Sequence, residues 1–405
     1  MRQEQSECDG AIVVCGAGAA GLAAAIAAAR QGAEVLLVEE GPRLGGTVAN
    51  ALLHTLGGFY DSAGALLNEG LSIEIVERLL AADSRTRRRQ MGRLWVLSAC
   101  PAVYRETIMR WIEAEESIQV LLNSQITSAS CSESLIGEVT IRSGGRMVSL
   151  RPSAVVDATG TAEVVRIIAP SLVMDDDPRA AGGWVFRLRG IAADALEAPK
   201  GIGIVRSLRK LAQCGQLPSE CAHAWIDIGT APDECFVKLM VPLPAELRDS
   251  HVRQQIEARA IATQGTVTEF LKSQPGFANA YVAESGTLGI RDGGRIRGGY
   301  VLTGNDVRSG RSFPDVACRG AWPIEYWDAN RGVSLEYLPP GAHYDIPMRS
   351  LELGGLANVW VAGKCLSADR EAHASARVAG TCWAMGAAAG QAAAKFAFAN
   401  CESPA

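Results

Sequence analysis

The sequence predicts an α/β fold: a discontinuous domain built on parallel strands, with an α+β domain inserted between its two parts. Three observations carry it. Residues 11–38 read as apolar strand, Ala-rich helix and apolar strand within about 30 residues, the length that a parallel crossover needs. Residues 359–362 (VWVA) and the Ala-rich stretch 378–398 repeat that pairing near the other end. From about 175 to 339 the character changes to strand-like pieces around a long helical stretch. The expected division is therefore 1–174, the inserted 175–339, and 340–405 as the second part of the first domain.

Each element has a local reason. AIVVC at 11–15 is a buried strand, and 19–31 is a helix closed by Gly32. EVLLV at 34–38 is a second strand, ending in Glu39 and Glu40. An amphipathic helix runs through 71–82, and Pro101 opens another that reaches about residue 115. Residues 119–130 and 137–150 alternate as strands do, the latter turning at Ser143-Gly144-Gly145. AVVD at 154–157 is again a buried strand and runs into Ala158-Thr159-Gly160. In the insert, 184–189 and 236–241 are strand-like, 245–273 is a long helix, and an Arg/Gly-rich segment follows at 289–311.

Composition excludes several classes. The chain has 405 residues, 48% of them hydrophobic, which is ample for buried cores and unlike a disordered chain. Its 39 basic and 44 acidic residues leave a net charge of −5, so no overall basic field draws nucleic acid or an anionic membrane. The uncharged run 11–29 is long enough for a membrane span by hydropathy alone. Its flank MRQEQSECDG, however, carries three acids against one Arg, and the run holds Gly16, Gly18 and Gly21. A soluble, cytoplasmic protein with no membrane partner is expected. The 11 cysteines are odd in number and irregular in spacing, which suits buried thiols better than disulfides or a metal site.

Gly16-Ala17-Gly18-Ala19-Ala20-Gly21 is GxGxxG between a strand and a helix, with Glu39 18 residues past its last glycine. That context is the one in which such a motif binds a dinucleotide, and it makes the first domain Rossmann-like. Gly16 permits the tight turn, Gly18 lets backbone approach the pyrophosphate, and Gly21 lets helix and strand pack. The pyrophosphate then faces a helix N-terminus. The Glu39 carboxylate accepts ribose hydroxyls and repels a 2′-phosphate, which disfavours NADP.

Further motifs resemble those of FAD-binding folds. Leu44-Gly45-Gly46-Thr47 resembles their glycine doublet, Asp157-Ala158-Thr159-Gly160 their ATG motif, and Val361-Ala362-Gly363 the closing segment that meets the flavin ribitol. No cysteine pair follows the doublet in GTVANALLHTLGGF, and Gly201-Ile202-Gly203, after a Pro-Lys loop, lacks a third glycine. A dithiol reductase and a built-in NAD(P)H domain are therefore not expected. The blocks LGIRDGGRIRGGYVLTGNDV, FPDVACRGAWPI, YDIPMRSL and residues 361–390 together resemble the FAD-dependent oxidoreductase family, related to fumarate reductase flavoproteins and thiazole-biosynthesis enzymes.

The resemblance implies non-covalently bound FAD and a substrate domain closing over the isoalloxazine. It implies an FAD cradle of Gly16, Gly18, Ala19, Ala20, Gly21, Glu39, Glu40, Arg43, Gly45, Gly46, Thr47, Ile126, Ala158, Thr159, Gly160, Gly363 and Val378. The family blocks nearest the flavin map onto Arg291, Arg295, Arg349, Glu371, His373, Ser375 and Arg377. Two departures stand out: Asp292-Gly293-Gly294 replaces bulkier polar or basic residues, and Arg370 stands where His is common. A relative's substrate is therefore not carried over.

His373 is the candidate base, since imidazole titrates near neutral pH and this one lies in a flavin-side block. His343 and His54 rank below it, His54 also as a covalent flavin attachment; His223 and His251 are expected on the surface. Arg291, Arg295, Arg297 and Arg349 are candidates to clamp a substrate carboxylate, or else to hold Asp292, Asp306 or Asp345. Arg377, beside the last helix, adds charge near the reduced ring. The basic run Arg85, Arg87, Arg88, Arg89 and Arg93 is expected to be a solvated loop. The resulting expectation is oxidation of a small polar, anionic metabolite at a CH–OH, CH–NH or CH–CH bond, with electrons leaving to oxygen or an external carrier. A flavin monooxygenase using transient NAD(P)H is the alternative, and an FAD-binding non-redox or RNA-modifying protein the third; oligomer formation is left open.

Overall fold

The computed structural model describes residues 8–132, 134–175 and 179–401. Five parallel strands form the first sheet, in the order Val359–Val361, Ala154–Asp157, Ile12–Cys15, Val35–Val38 and Ile118–Leu121. From the central Ile12–Cys15 strand the chain continues to a neighbour on one side, and later returns on the other. Cys15 lies beside both Val38 and Asp157, and Asp157 beside Val361, so the carboxyl ends of four strands line up. Such a switch point is where open α/β sheets hold their ligands. Burial on both faces explains why these strands read as unbroken apolar runs.

Helices Ala19–Ala29 and Ala379–Cys401 cross one face of the sheet in close contact. A Cβ on Gly386 would overlap the Ala20 carbonyl, and one on Gly390 the Ala24 carbonyl. The Ala and Gly bias of these helices is thus a packing requirement. The crossover from Ile118–Leu121 to Ala154–Asp157 is the meander Ser124–Ser132, Leu135–Ser143 and Arg146–Leu150.

The inserted α+β part carries an antiparallel sheet ordered Trp225–Ile228, Glu234–Val241, Gly182–Arg189 and Tyr281–Ser285. Trp184, Phe186, Leu188, Val237 and Leu239 join a core with Leu208 and Leu271 from helices Lys200–Gln213 and Ser250–Lys272. Alternation turns Val185, Phe236 and Lys238 the other way, toward the first domain, where Val185 and Phe236 meet Leu52. The α/β class with its Rossmann-like domain and inserted α+β part therefore stands as read from the sequence.

Three local expectations need correction. The basic run is not a loop, although Arg85, Arg87, Arg88 and Arg93 are exposed: Arg87–Met91 is a strand paired with Leu94–Ser98 around a turn at Gly92. Arg88 is held by the Gly64 carbonyl and the Trp95 ring, and Arg89 by Asp227, so charge here serves tertiary contacts. The helix Lys200–Gln213 includes Gly201 and Gly203, whose poor helix propensity hid it. The long helix starts late, at Ser250, because Asp249 caps it by accepting the His251 N–H at 2.7 Å. Ten cysteines are free thiols, and among the described residues no helix is long and apolar enough to cross a membrane.

Candidate cofactor and substrate site

Gly16 has φ +94°, and a Cβ there would stand 2.5 Å from the Ala158 carbonyl oxygen. The strand ends are tied by Gly16 N–H to Val38 O at 2.7 Å and Ala158 N–H to Cys15 O at 2.8 Å. The glycine doublet joins them: Gly45 N–H donates to Ala17 O at 2.8 Å, and a Cβ on Gly46 would meet Gly18 Cα at 2.7 Å. Gly18 itself faces open space, its nearest neighbour for a Cβ being Gly46 Cα at 3.9 Å. It caps the Ala19–Ala29 helix without a side-chain acceptor, and the first intrahelical bond closes from Leu22 N–H. The N–H groups of Ala19, Ala20 and Gly21 thus find no hydrogen-bond acceptor among the described residues, as an anion site at a helix start requires.

Glu39 borders this opening. Its Oε2 accepts from Ala17 N–H at 2.6 Å and its Oε1 from Gly41 N–H at 2.8 Å. Buried Asp157 shapes the next turn, accepting from the Thr159 N–H and hydroxyl and from the Val164 and Val165 N–H groups. Burial holds this carboxyl above the usual carboxylate range, and the four hydrogen bonds oppose that shift without cancelling it. Gly160 N–H donates to Cys365 Sγ at 3.1 Å, and Gly363 lies against Ala20. Val378, at the start of the last helix, covers Gly58, and Gly380 N–H donates to Gly57 O at 2.9 Å. Glu40, Arg43 and Thr47 are exposed at the rim, and Ile126 is half-buried on the meander. Four separate chain segments therefore close around one helix N-terminus, and their donors and missing Cβ atoms fit the pyrophosphate and ribose of FAD.

Beyond that cradle lies a cluster of charge. Arg291 stacks on Trp327, 3.8 Å from the ring centre, and donates to Ala181 O. Arg377 donates to the Glu325 carbonyl at 3.2 Å. Lys238 donates to Thr55 Oγ1 at 3.1 Å, and Lys364 to Ile290 O at 3.0 Å. Burial lowers the pKa of all four. Arg377 adds repulsion at Arg291, and the Glu325 carboxylate opposes the shift at Lys238, Arg291 and Arg377 alike. Four cations thus face three acids, Glu325, Asp227 and Asp292, in a recess between the two domains, and the excess positive charge suits an anionic ligand.

Of the other predicted residues, Arg349 lies apart from this recess, whereas His373 and His54 border it. Arg349 pairs with Asp315 at 2.8 Å on the surface, and Arg295 donates to Ala368 O at 2.7 Å, deeply buried. His373 is 2% exposed, and its Nε2 donates to the Lys364 carbonyl at 3.0 Å. Burial and the nearby Arg377 and Arg295 push it well below the usual imidazole range. His54, fully buried, donates from Nε2 to Asp227, which also holds Arg89.

Lys238 and Glu325 escaped the sequence reading. Lys238 had a signal, as the charge in the middle of the otherwise apolar ECFVKLMV strand. Glu325 had none, since its value comes from the cations that folding gathers round it.

The family described as FAD dependent oxidoreductase matches residues 11–403. No curated protein matches the chain by sequence. Among solved structures, a geranylgeranyl bacteriochlorophyll reductase-like protein from Thermoplasma acidophilum is 13% identical, with 96% of this chain and 78% of that chain covered at TM-score 0.49. PqsL, a probable FAD-dependent monooxygenase from Pseudomonas aeruginosa, is 15% identical, with 98% and 88% covered at TM-score 0.43.

Proposed function

The chain belongs to the family of FAD-dependent oxidoreductases, and from that premise we propose that it is a dehydrogenase or oxidase acting on a small anionic metabolite. The observation that carries this reading is the gathering of Lys238, Arg291, Lys364 and Arg377 in the recess between the domains, with Arg291 stacked on Trp327 and Arg377 bonded to the Glu325 carbonyl. FAD, when bound, supplies the two-electron acceptor. Arg291, its plane fixed on Trp327, orients the substrate's carboxylate or phosphate, with Arg377 as the second cation.

Loss of a hydride from carbon leaves an O–H or N–H proton to remove. Lys238 is the residue we assign to accept it at Nζ. The directions of two shifts decide between it and His373. A useful base has a pKa near working pH. Burial moves the lysine down toward that range from 10.5, while it moves His373 away from 6.5. Asp227 and Glu325 favour the charged lysine, and Arg89 and Arg291 oppose it. His373, bonded to the Lys364 carbonyl, then serves to hold the segment that precedes the last helix.

The test is anaerobic mixing of the FAD-loaded enzyme with candidate anionic metabolites, followed by flavin absorbance. Bleaching by one of them supports the reading. Bleaching by NAD(P)H alone would instead make the protein a monooxygenase, and failure to take up FAD would end both readings.

A further inference from the structure

The basic hairpin that the redox site does not use borders a second cavity. This cleft, of about 240 Å³, is walled by Tyr60, Trp95, Trp322 and Tyr337, with Arg93 and Asp61 among its lining. Arg88 lies 4.8 Å from the centre of the Trp95 ring and 5.9 Å from that of Tyr60, which holds both rings in place. Arg93 lies 4.4 Å over Tyr337 and makes no ion pair among the described residues. The acid in the lining, Asp61, has Oδ1 engaged by the Ala63 and Ala65 N–H groups.

One indole separates the cleft from the recess. Trp322 lies flush against Gly57, where a Cβ would meet the ring at 2.5 Å, and its Nε1 donates to Glu325 Oε2 at 2.8 Å. Tyr60 follows Gly57 by three residues, a reach of at most about 11 Å.

We propose that this cleft binds a planar aromatic group bearing an anionic substituent. The aromatic walls offer ring faces and edges for stacking, and Arg93 supplies a charge not already matched by a carboxylate. This binding does not depend on the oxidoreductase site described above.

The experiment uses the FAD-loaded enzyme and 2-naphthoate, read by quenching of tryptophan fluorescence. Saturable binding is expected, with cyclohexanecarboxylate binding at least threefold more weakly. Loss of one ring contact costs about 2- to 12-fold in affinity, so Tyr337→Leu should weaken naphthoate at least threefold. Arg93→Gln, at an exposed position that leaves folding intact, should weaken it by up to about fivefold. Arg291→Met should leave it within twofold, and an unchanged FAD spectrum shows that each variant is folded. Unsaturable quenching, equal binding by Tyr337→Leu, or equal binding of cyclohexanecarboxylate overturns the cleft. So does loss in Arg291→Met alone, which would put the ring acid in the recess. Because naphthoate binding needs no turnover, failure of the redox reading leaves this result interpretable.

Discussion

The imidazole of His54 lies flat on the ring of Phe236, with 3.9 Å between centroids and 9° between planes. His54 follows the glycine doublet, whereas Phe236 belongs to the inserted sheet, so this stack joins the two domains beside Lys238. The His54 Nε2–H donates to Asp227 at 3.1 Å, and Arg89 donates to the same carboxylate at 2.8 Å. A carboxylate only accepts, so Nε2 carries a proton; Nδ1, buried with no hydrogen-bond partner among the described residues, keeps the lone pair of a neutral ring.

Acid should loosen this junction. Burial, with Lys238 nearby, takes His54 from 6.5 to about 4, outweighing the bond to Asp227. The unfolded chain therefore binds the extra proton first, and stability falls as pH drops from about 6.5 to about 4. The shift corresponds to about 3 kcal/mol. Chemical denaturation at steps across that window should show the loss, and His54→Gln should flatten it. A wild-type protein equally stable at both ends would refute the neutral buried ring.

Truncating the Asp227 side chain should cost more than neutralising it. Asp227→Ala strands the Arg89 guanidinium and the His54 N–H in a site that is 9% exposed at Asp227 and 18% at Arg89. Breaking such a pair typically costs about 3–5 kcal/mol. Asp227→Asn, which keeps one acceptor, should lose less. Urea midpoints of the two variants give the comparison.

Gly16→Ala should empty the enzyme of flavin. The new methyl would meet the Ala158 carbonyl at 2.5 Å in a backbone with φ +94°. Strain of this kind is worth about 1–3 kcal/mol, or about 5- to 150-fold in affinity. The 450-nm band of the purified protein, before and after adding FAD, is the measurement.

Lys238→Met should slow anaerobic flavin reduction by about 10²- to 10⁴-fold, the usual worth of a positioned proton acceptor, without altering FAD content. In the native enzyme the reduction rate should rise with pH, because the amine must be neutral. The lowered pKa places that rise below 10.5. Arg291→Met should act differently, raising the KM for an anionic substrate about 10- to 150-fold as a charge-assisted hydrogen bond is lost. A pH profile unchanged in Lys238→Met would rule the lysine out as base.

At the helix crossing, Gly386→Val should destabilise the protein by at least about 1–3 kcal/mol, since even a Cβ overlaps the Ala20 carbonyl. Thermal unfolding of the FAD-loaded protein reads it directly.

The strand order of the first sheet was legible at its start because Ile12–Cys15, Ala19–Ala29 and Val35–Val38 are contiguous and carry period and turn signals together. The C-terminal strand and helix were legible for the same reason. The helix Lys200–Gln213 was not, because its glycines oppose helix formation locally and only burial of Ile204 and Leu208 against the inserted sheet offsets that. The strand within the run from Arg85 to Arg93 was not legible because charge has no period. Its partners, Asp227, Gly64 and Trp95, lie elsewhere in the chain.

By itself the sequence determined an α/β chain with a dinucleotide fingerprint, because strand, glycine turn and helix are neighbours whose chemistry is local. Tertiary structure alone decided that Lys238, Arg291 and Arg377 share Glu325, and that Trp322 stands between them and an aromatic cleft. These residues lie on separate segments, and an electrostatic site exists only where packing brings their charges within reach and out of water.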